Sequence, residues 1–155
     1  MCDCTLVHDL NIEGVKDMGI HAYLTFNGHC RQAYEFYAEV FSAEKGDLST
    51  YGDAPPNPEF SLPDEAKQLI IHGELTVHGT KLMFSDTFPG SPFVVGNNIT
   101  LALVLSDADA VKAAFQKLRE GGQVLIDLQE TFWSKCYGSV VDKFGITWGL
   151  NCINE

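Results

Sequence analysis

One order of secondary-structure signals occurs twice along this chain, and that doubling limits the folds open to it more than any other feature. Residues 20–27 (IHAYLTFN) alternate Ala22, Leu24 and Phe26 against His21, Tyr23 and Thr25, as a half-buried strand does. Asn27-Gly28 breaks it. Over 29–42, Ala33, Phe36, Tyr37, Val40 and Phe41 recur at helical spacing and predict an amphipathic helix. A short strand around 48–51 follows, and 68–77 with 80–86 read as a hairpin across His78-Gly79. The order restarts at Ile99. Residues 99–105 (ITLALVL) make a strand, and Ser106-Asp107 caps a helix that sets Val111, Ala114, Phe115 and Leu118 on one face. Gly121-Gly122 ends that helix. Strands over 123–129, 137–141 and 146–152 complete the second round.

The last of these strands is entered through a turn with a stated mechanism. Asp142-Lys143-Phe144-Gly145 joins Val140-Val141 to Ile146-Thr147-Trp148. Asp at the start caps its own backbone, and Gly at the end accepts positive φ. Beyond it, Ile146, Trp148, Leu150 and Cys152 alternate with Thr147, Gly149 and Asn151. One face is apolar and suits a core; the other is smaller and more polar.

Between the two rounds, residues 54–67 (APPNPEFSLPDEAK) form one long loop holding Pro55, Pro56 and Pro58, and Pro63-Asp64-Glu65-Ala66 can open one helical turn. Residues 1–17 show no sustained periodicity and are expected to be an N-terminal arm or upstream extension. Residues 18–155 are expected to be a single domain, with module one at about 19–90 and module two at about 98–153.

A net charge of −11, from 10 basic against 21 acidic residues, argues against nucleic acid, which is held by clustered Lys and Arg. There is neither an apolar run of ~20 residues for a membrane span nor a secretory leader pattern in residues 1–16. The expected compartment is the cytoplasm. The 5 cysteines are odd in number and lack C-x-x-C spacing, so free thiols are expected, with Cys136 inert.

The doubled βαβββ pattern closed by V-x-D-x-x-G resembles the vicinal oxygen chelate superfamily of glyoxalase I, bleomycin resistance proteins and extradiol dioxygenases. Within it the chain is similar to the PhnB-like, 3-demethylubiquinone-9 3-methyltransferase-type branch. The segments that carry the resemblance are Tyr23-Leu24-Thr25-Phe26-Asn27-Gly28, Phe36-Tyr37, Ser49-Thr50-Tyr51-Gly52, Ile71-His72, Met83-Phe84-Ser85-Asp86 and Glu130-Thr131-Phe132-Trp133. The run from Asp142 to Trp148 completes them. The implied fold is α+β, with two βαβββ modules forming a curved mixed sheet around a cleft and the helices outside. A homodimer is the implied assembly.

In metal-dependent relatives, four strands place His or Glu around one divalent ion. Carried over position by position, the first-strand ligand falls on His21 and that of the second module's first strand near Thr100. The fourth-strand ligand falls within 83–86, where Asp86 alone serves, and the last-strand glutamate falls on Gly149. The resemblance therefore implies a degenerate or absent metal site, with His21, His72 and Asp86 as the candidate donors for Zn, Ni, Mn or Fe. S-adenosylmethionine usually sits on a glycine-rich turn between a parallel strand and a helix, and no G-x-G follows a strand here.

Other candidates come from the residues alone. His72, Glu74, Thr76 and His78 share one strand face, which reads either as an acid–base or chelating group or as a solvated polar face. Phe132-Trp133 reads as core, subunit interface or ligand shelf. The leading expectation is small-molecule binding among His21, Tyr23, Asp86, Thr100 and Trp133, without a required cofactor. One alternative is a metal-dependent lyase, isomerase or dioxygenase in which His21 ligates and Glu74 is the base. Another is sequestration of a drug, as bleomycin resistance proteins do.

Overall fold

The computed structural model describes residues 19–56, 58, 59 and 61–153; the expected arm at 1–17, with Cys2 and Cys4, lies outside them. The element order is β1 (Ala22–Phe26), α1 (Cys30–Val40), β2 (Glu44–Thr50), β3 (Ile70–Val77), β4 (Thr80–Asp86), β5 (Leu101–Leu105), α2 (Ala108–Leu118), β6 (Gln123–Gln129), β7 (Cys136–Val141) and β8 (Thr147–Cys152). Strand, helix and three strands thus occur twice, as the sequence predicts. Single 3-10 turns lie at Tyr51–Asp53 and Asp64–Ala66, the second at the expected one-turn site in the long loop. The second strand begins earlier than expected. Residues 44–47 are exposed and polar, and only Glu44 and Lys45 of them take partners on β3 before the register shifts, so they leave no apolar alternation to read.

The eight strands form two four-stranded sheets rather than one, in the orders β1-β4-β3-β2 and β5-β8-β7-β6. In each, the first strand pairs parallel to the last and all other pairs are antiparallel. One face of each sheet is covered by its helix. Leu24, Phe26, Leu75, Leu82 and Phe84 meet Tyr34 and Tyr37 of α1, and Leu103, Val140, Trp148 and Leu150 meet Val111, Phe115 and Leu118 of α2. The helices also touch each other, so one core runs through both modules. Gly138 permits close approach in the second module: a Cβ there would come within 2.9 Å of the Phe115 ring. Among the described residues no helix is long and apolar enough to cross a membrane.

The modules are tied together at the predicted turn. Gly145 has φ +86°. The Asp142 side chain is buried and accepts four hydrogen bonds. Oδ1 takes the amides of Phe144 (2.9 Å) and Ile146 (3.1 Å). Oδ2 takes the Tyr37 phenol of α1 (2.6 Å) and the Trp148 indole (2.8 Å). Phe36, Phe41 and Phe144 pack around this pair with Tyr37 and Trp148, edge-on or tilted.

Asp142→Ala strands the buried Tyr37 and Trp148 donors, and a loss of about 3 kcal/mol or more is expected, because each unsatisfied buried group costs ~1–3 kcal/mol. Tyr37→Phe removes one donor from a carboxylate that keeps three, and is expected to cost about 1 kcal/mol. Urea denaturation of both variants measures the difference.

Candidate functional site

A cleft of 630 Å³ opens on the seam between the modules. Its wall from module one is β1 with His21, Tyr23 and Thr25, and its wall from module two is Leu101 with Phe144, Ile146 and Thr147. The linker closes it through Pro92, Phe93, Val94, Val95, Asn98 and Ile99. The local reason is the period-two pattern of β1. Ala22, Leu24 and Phe26 point toward α1, so His21, Tyr23 and Thr25 face away from the helix. The lining is mostly apolar over the linker and the turn, with polar groups from His21, Tyr23 and Thr25 on the β1 side and from Asn98 in the linker.

Of the residues expected at the site, His21 and Tyr23 line this cleft. His72 and Glu74 do not line it but stand beside it. β1, β4 and β3 are neighbours, and their register puts Tyr23, Met83 and Glu74 side by side. The Tyr23 hydroxyl reaches to 3.5 Å from His72 Nδ1. His72 Nε2 in turn lies 3.1 Å from Glu74 Oε1, and Glu74 Oε2 lies 2.8 Å from Lys81 Nζ. Hydrogen bonds from Lys81 and then His72 hold the Glu74 carboxyl below the usual carboxylate range. His78 sits in the β3–β4 turn with φ +46° and takes no part in this group.

Asp86 corrects the expectation attached to it. It is buried and turned toward the start of α1, away from the cleft. Oδ1 accepts the amides of Gly28 and Cys30, both at 2.9 Å, and Oδ2 accepts that of Ile70 at 3.0 Å. The physical cause is the helix end it serves. His29 stands at the N-cap of α1 without a side-chain cap, and the first turn carries no acidic residue. Asp86 satisfies amides that would otherwise be orphaned. In the second module the local Asp107 caps α2 by accepting from Asp109 and Ala110. There the residue at the end of the last strand, paired as Asp86 is, is Cys152.

Thr100 and Trp133 are also not brought to the cleft. Thr100 is exposed, and its methyl lies 3.6 Å from where a Cβ on Gly149 would stand. Trp133 packs edge-on against Phe132 and Tyr137 at the far end of the second sheet. Among the described residues no group of three or more His, Cys, Asp or Glu side chains converges as an ion site. His21 and His72 stand at different parts of the open face and Asp86 is committed to backbone, so these donors do not fit a shared divalent ion. The linker residues Phe93, Val94 and Val95 were missed by the sequence reading. Their apolar run in a proline-bounded linker was the available signal. Cys30 and Cys136 are buried free thiols, and burial pushes both up, Cys30 to about 12, with Asp86 adding to the rise for Cys30. The inert Cys136 expected from sequence agrees with this burial.

The family model described as 3-demethylubiquinone-9 3-methyltransferase matches residues 18–151. Protein YjdN of Escherichia coli K12 is 29% identical over 147 residues, covering 89% of this chain and 97% of that protein. The crystal structure of protein PA1353 from Pseudomonas aeruginosa is 30% identical, with a TM-score of 0.79 over 89% of this chain and 99% of that one. A PhnB protein from Bacillus cereus is 25% identical, with a TM-score of 0.71 over 87% and 99% of the two chains.

Two outcomes are expected from the site geometry. Asp86→Ala orphans three amides and should lower stability by about 3 kcal/mol in urea denaturation. Micromolar Zn²⁺, Ni²⁺, Mn²⁺ or Fe²⁺ should leave the melting temperature of the wild type unchanged, and elemental analysis should find the same metal content in His21→Ala as in the wild type.

Proposed function

Since the chain belongs to the 3-demethylubiquinone-9 3-methyltransferase family, the PhnB-like branch of the vicinal oxygen chelate superfamily, we propose that it binds a small, partly apolar molecule in the cleft between its two modules, without a resident metal ion. The observation that carries this reading is the lining of the cleft. Phe93, Ile99, Leu101, Phe144 and Ile146 offer an apolar bed, and His21, Tyr23, Thr25 and Asn98 offer a few polar groups. A concave, mostly apolar site with a few placed polar atoms is the usual form of a small-molecule site, and 630 Å³ falls in the range of such sites.

Methyl transfer, which the family description names, finds little support in these residues. The turn after β1 has the single glycine Gly28, and the amides of Gly28 and Cys30 at the start of α1 are already taken by Asp86. An anionic cofactor group cannot use them without displacing a buried carboxylate.

The proposed assembly is a homodimer. Its support is the open face of the second sheet, where Val104, Ile126, Trp133 and Ile153 are exposed large side chains. Large apolar side chains left exposed on a sheet face are the material from which interaction sites are built. The proposed compartment is the cytoplasm, in keeping with free thiols at Cys30, Cys136 and Cys152.

A thermal-shift screen with small aromatic and alkyl compounds tests the cleft. A ligand at 100 times its Kd adds about 2.7 kcal/mol, and a melting-temperature rise of roughly 5–10 °C is expected for a domain of this size. Thr25→Trp fills the polar wall of the cleft and is expected to abolish the rise, whereas Trp133→Ala is expected to keep it. A response that survives Thr25→Trp would place binding elsewhere.

A further inference from the structure

The open face of the first sheet carries a chain of four polar side chains that starts at the cleft. Tyr23 belongs to the cleft wall. Its neighbours across β4 and β3 are His72, Glu74 and Lys81. Glu74 and Met83 are register partners, and His72 and Lys81 lie two residues from them along their own strands, so all share Tyr23's face. We propose that Tyr23, His72, Glu74 and Lys81 form a proton relay whose Tyr23 end opens on the cleft, and that the ligand taken there carries an acidic hydroxyl, as a phenol or an enol does. This rests on the cleft reading above and adds the polar end of the ligand to it.

The direction of each hydrogen bond follows from chemistry. Glu74 holds Lys81 on one oxygen at 2.8 Å and His72 Nε2 on the other at 3.1 Å. A carboxylate only accepts, so His72 Nε2 carries the proton. In neutral imidazole this leaves Nδ1 with a bare lone pair, and Nδ1 faces the Tyr23 hydroxyl at 3.5 Å. The phenol is therefore the donor. Its oxygen keeps lone pairs for the cleft, where a ligand hydroxyl can donate to it. Lys81 cancels the charge of Glu74, so with His72 as the neutral imidazole the relay carries no net charge.

Proton transfer through it balances without any co-reactant. The ligand O–H bond breaks and leaves its electron pair on the ligand oxygen. That proton bonds to Tyr23 Oη as the original Tyr23 proton moves to His72 Nδ1. The products are a ligand oxyanion and an imidazolium set between the phenol and the Glu74 carboxylate. The relay gains the one positive charge that the ligand loses. The 3.5 Å contact is at the outer limit of a hydrogen bond, and such contacts commonly shorten once a ligand is in place. Tyr23 is the catalytic residue of this step; His72, Glu74 and Lys81 act through it.

The test uses 4-nitrophenol, whose anion absorbs visible light and whose neutral form does not. At a pH where the free probe is mostly unionised, the full chain is expected to raise the phenolate band. His72→Gln and Glu74→Gln change partly exposed side chains and leave the core untouched. Both are expected to keep the thermal shift produced by the probe and to lose most of the band. Tyr23→Phe is expected to lose the band and to weaken binding. Ring ¹⁵N shifts of His72 in the unliganded protein should report a protonated Nε2 and a bare Nδ1. A band that persists in His72→Gln, binding by the wild type without a band, or a ring protonated at Nδ1 would overturn the relay and leave the cleft standing. No binding of 4-nitrophenol by the wild type also overturns the relay. The cleft reading then falls only if the aromatic and alkyl screen shows no response either.

Discussion

Asp142 is the group on which the arrangement of this molecule depends. Its carboxylate is buried and, among the described residues, forms no ion pair, which is unfavourable unless every lone pair finds a donor. It finds four, two from the turn it begins and one each from α1 and β8. The turn thereby fixes the entry angle of β8. The Tyr37 bond, reaching 105 residues back along the chain, fixes the first helix against the second sheet. Burial and the adjacent carboxylate raise the phenol's pKa far above its ordinary value, so this donor keeps its proton throughout the range in which proteins stay folded. An apolar contact could have joined the modules, but it would have tolerated sliding. A carboxylate with four directed bonds does not, and the cleft that shares Phe144 and Ile146 with this turn takes its shape from it.

The two modules reach the same topology through different local chemistry, and Asp86 shows where they part. Both helices need something to accept their first amides. The second module supplies Asp107 from the adjacent residue, and its last strand is free to end in Cys152. The first has His29 at that place and brings a carboxylate from the far end of β4. A single requirement of helix ends thus explains why the doubled order of elements is not matched by doubled residues. It also explains why Asp86, on the strand that bears ligands in metal-dependent relatives, has its carboxylate committed to backbone amides.

What could be read from the sequence follows the range of the forces involved. β1, both helices, both hairpins and the D-K-F-G turn rest on local periodicity and local turn chemistry, and these were legible. The alternation of β1 placed His21 and Tyr23 opposite the helix, and the structure has them in the cleft wall. β2 was legible only at its end, because its first four residues are exposed and polar and carry no apolar alternation. The role of Asp86 was hidden, since nothing near residue 86 says that amides at 28, 30 and 70 lack partners. Trp133 carried the aromatic character of a ligand shelf, but the element that brings a shelf to a cleft is the strand order, and β6 and β7 lie away from the seam. The contact between Tyr23 and His72 was hidden for the same reason. It exists only because β1 pairs parallel with β4, setting β3 one strand further across.

The open faces of the two sheets carry opposite chemistry, although they descend from one pattern of alternation. In the first, the row across β1, β4 and β3 reads Tyr23, Met83 and Glu74, with His72 and Lys81 beside it. In the second, the rows across β5, β8 and β7 read Ala102, Gly149 and Ser139, then Val104, Asn151 and Tyr137. Charged and ionisable groups stand on one side of the seam, and small or neutral ones on the other. Alternation guarantees only that one face of each strand avoids the core; it places no demand on what that face bears. The core faces of both sheets are held to close packing against their helices and are mainly apolar, with Leu24, Phe26, Leu75, Leu82 and Phe84 in the first and Leu103, Val140, Trp148 and Leu150 in the second. The faces turned away from the helices are under no such constraint. The cleft on the seam takes only the edge of this difference: module one lines it with His21 and Tyr23 and module two with Leu101, Phe144 and Ile146, so a molecule spanning it meets ionisable groups at one end and an apolar wall at the other.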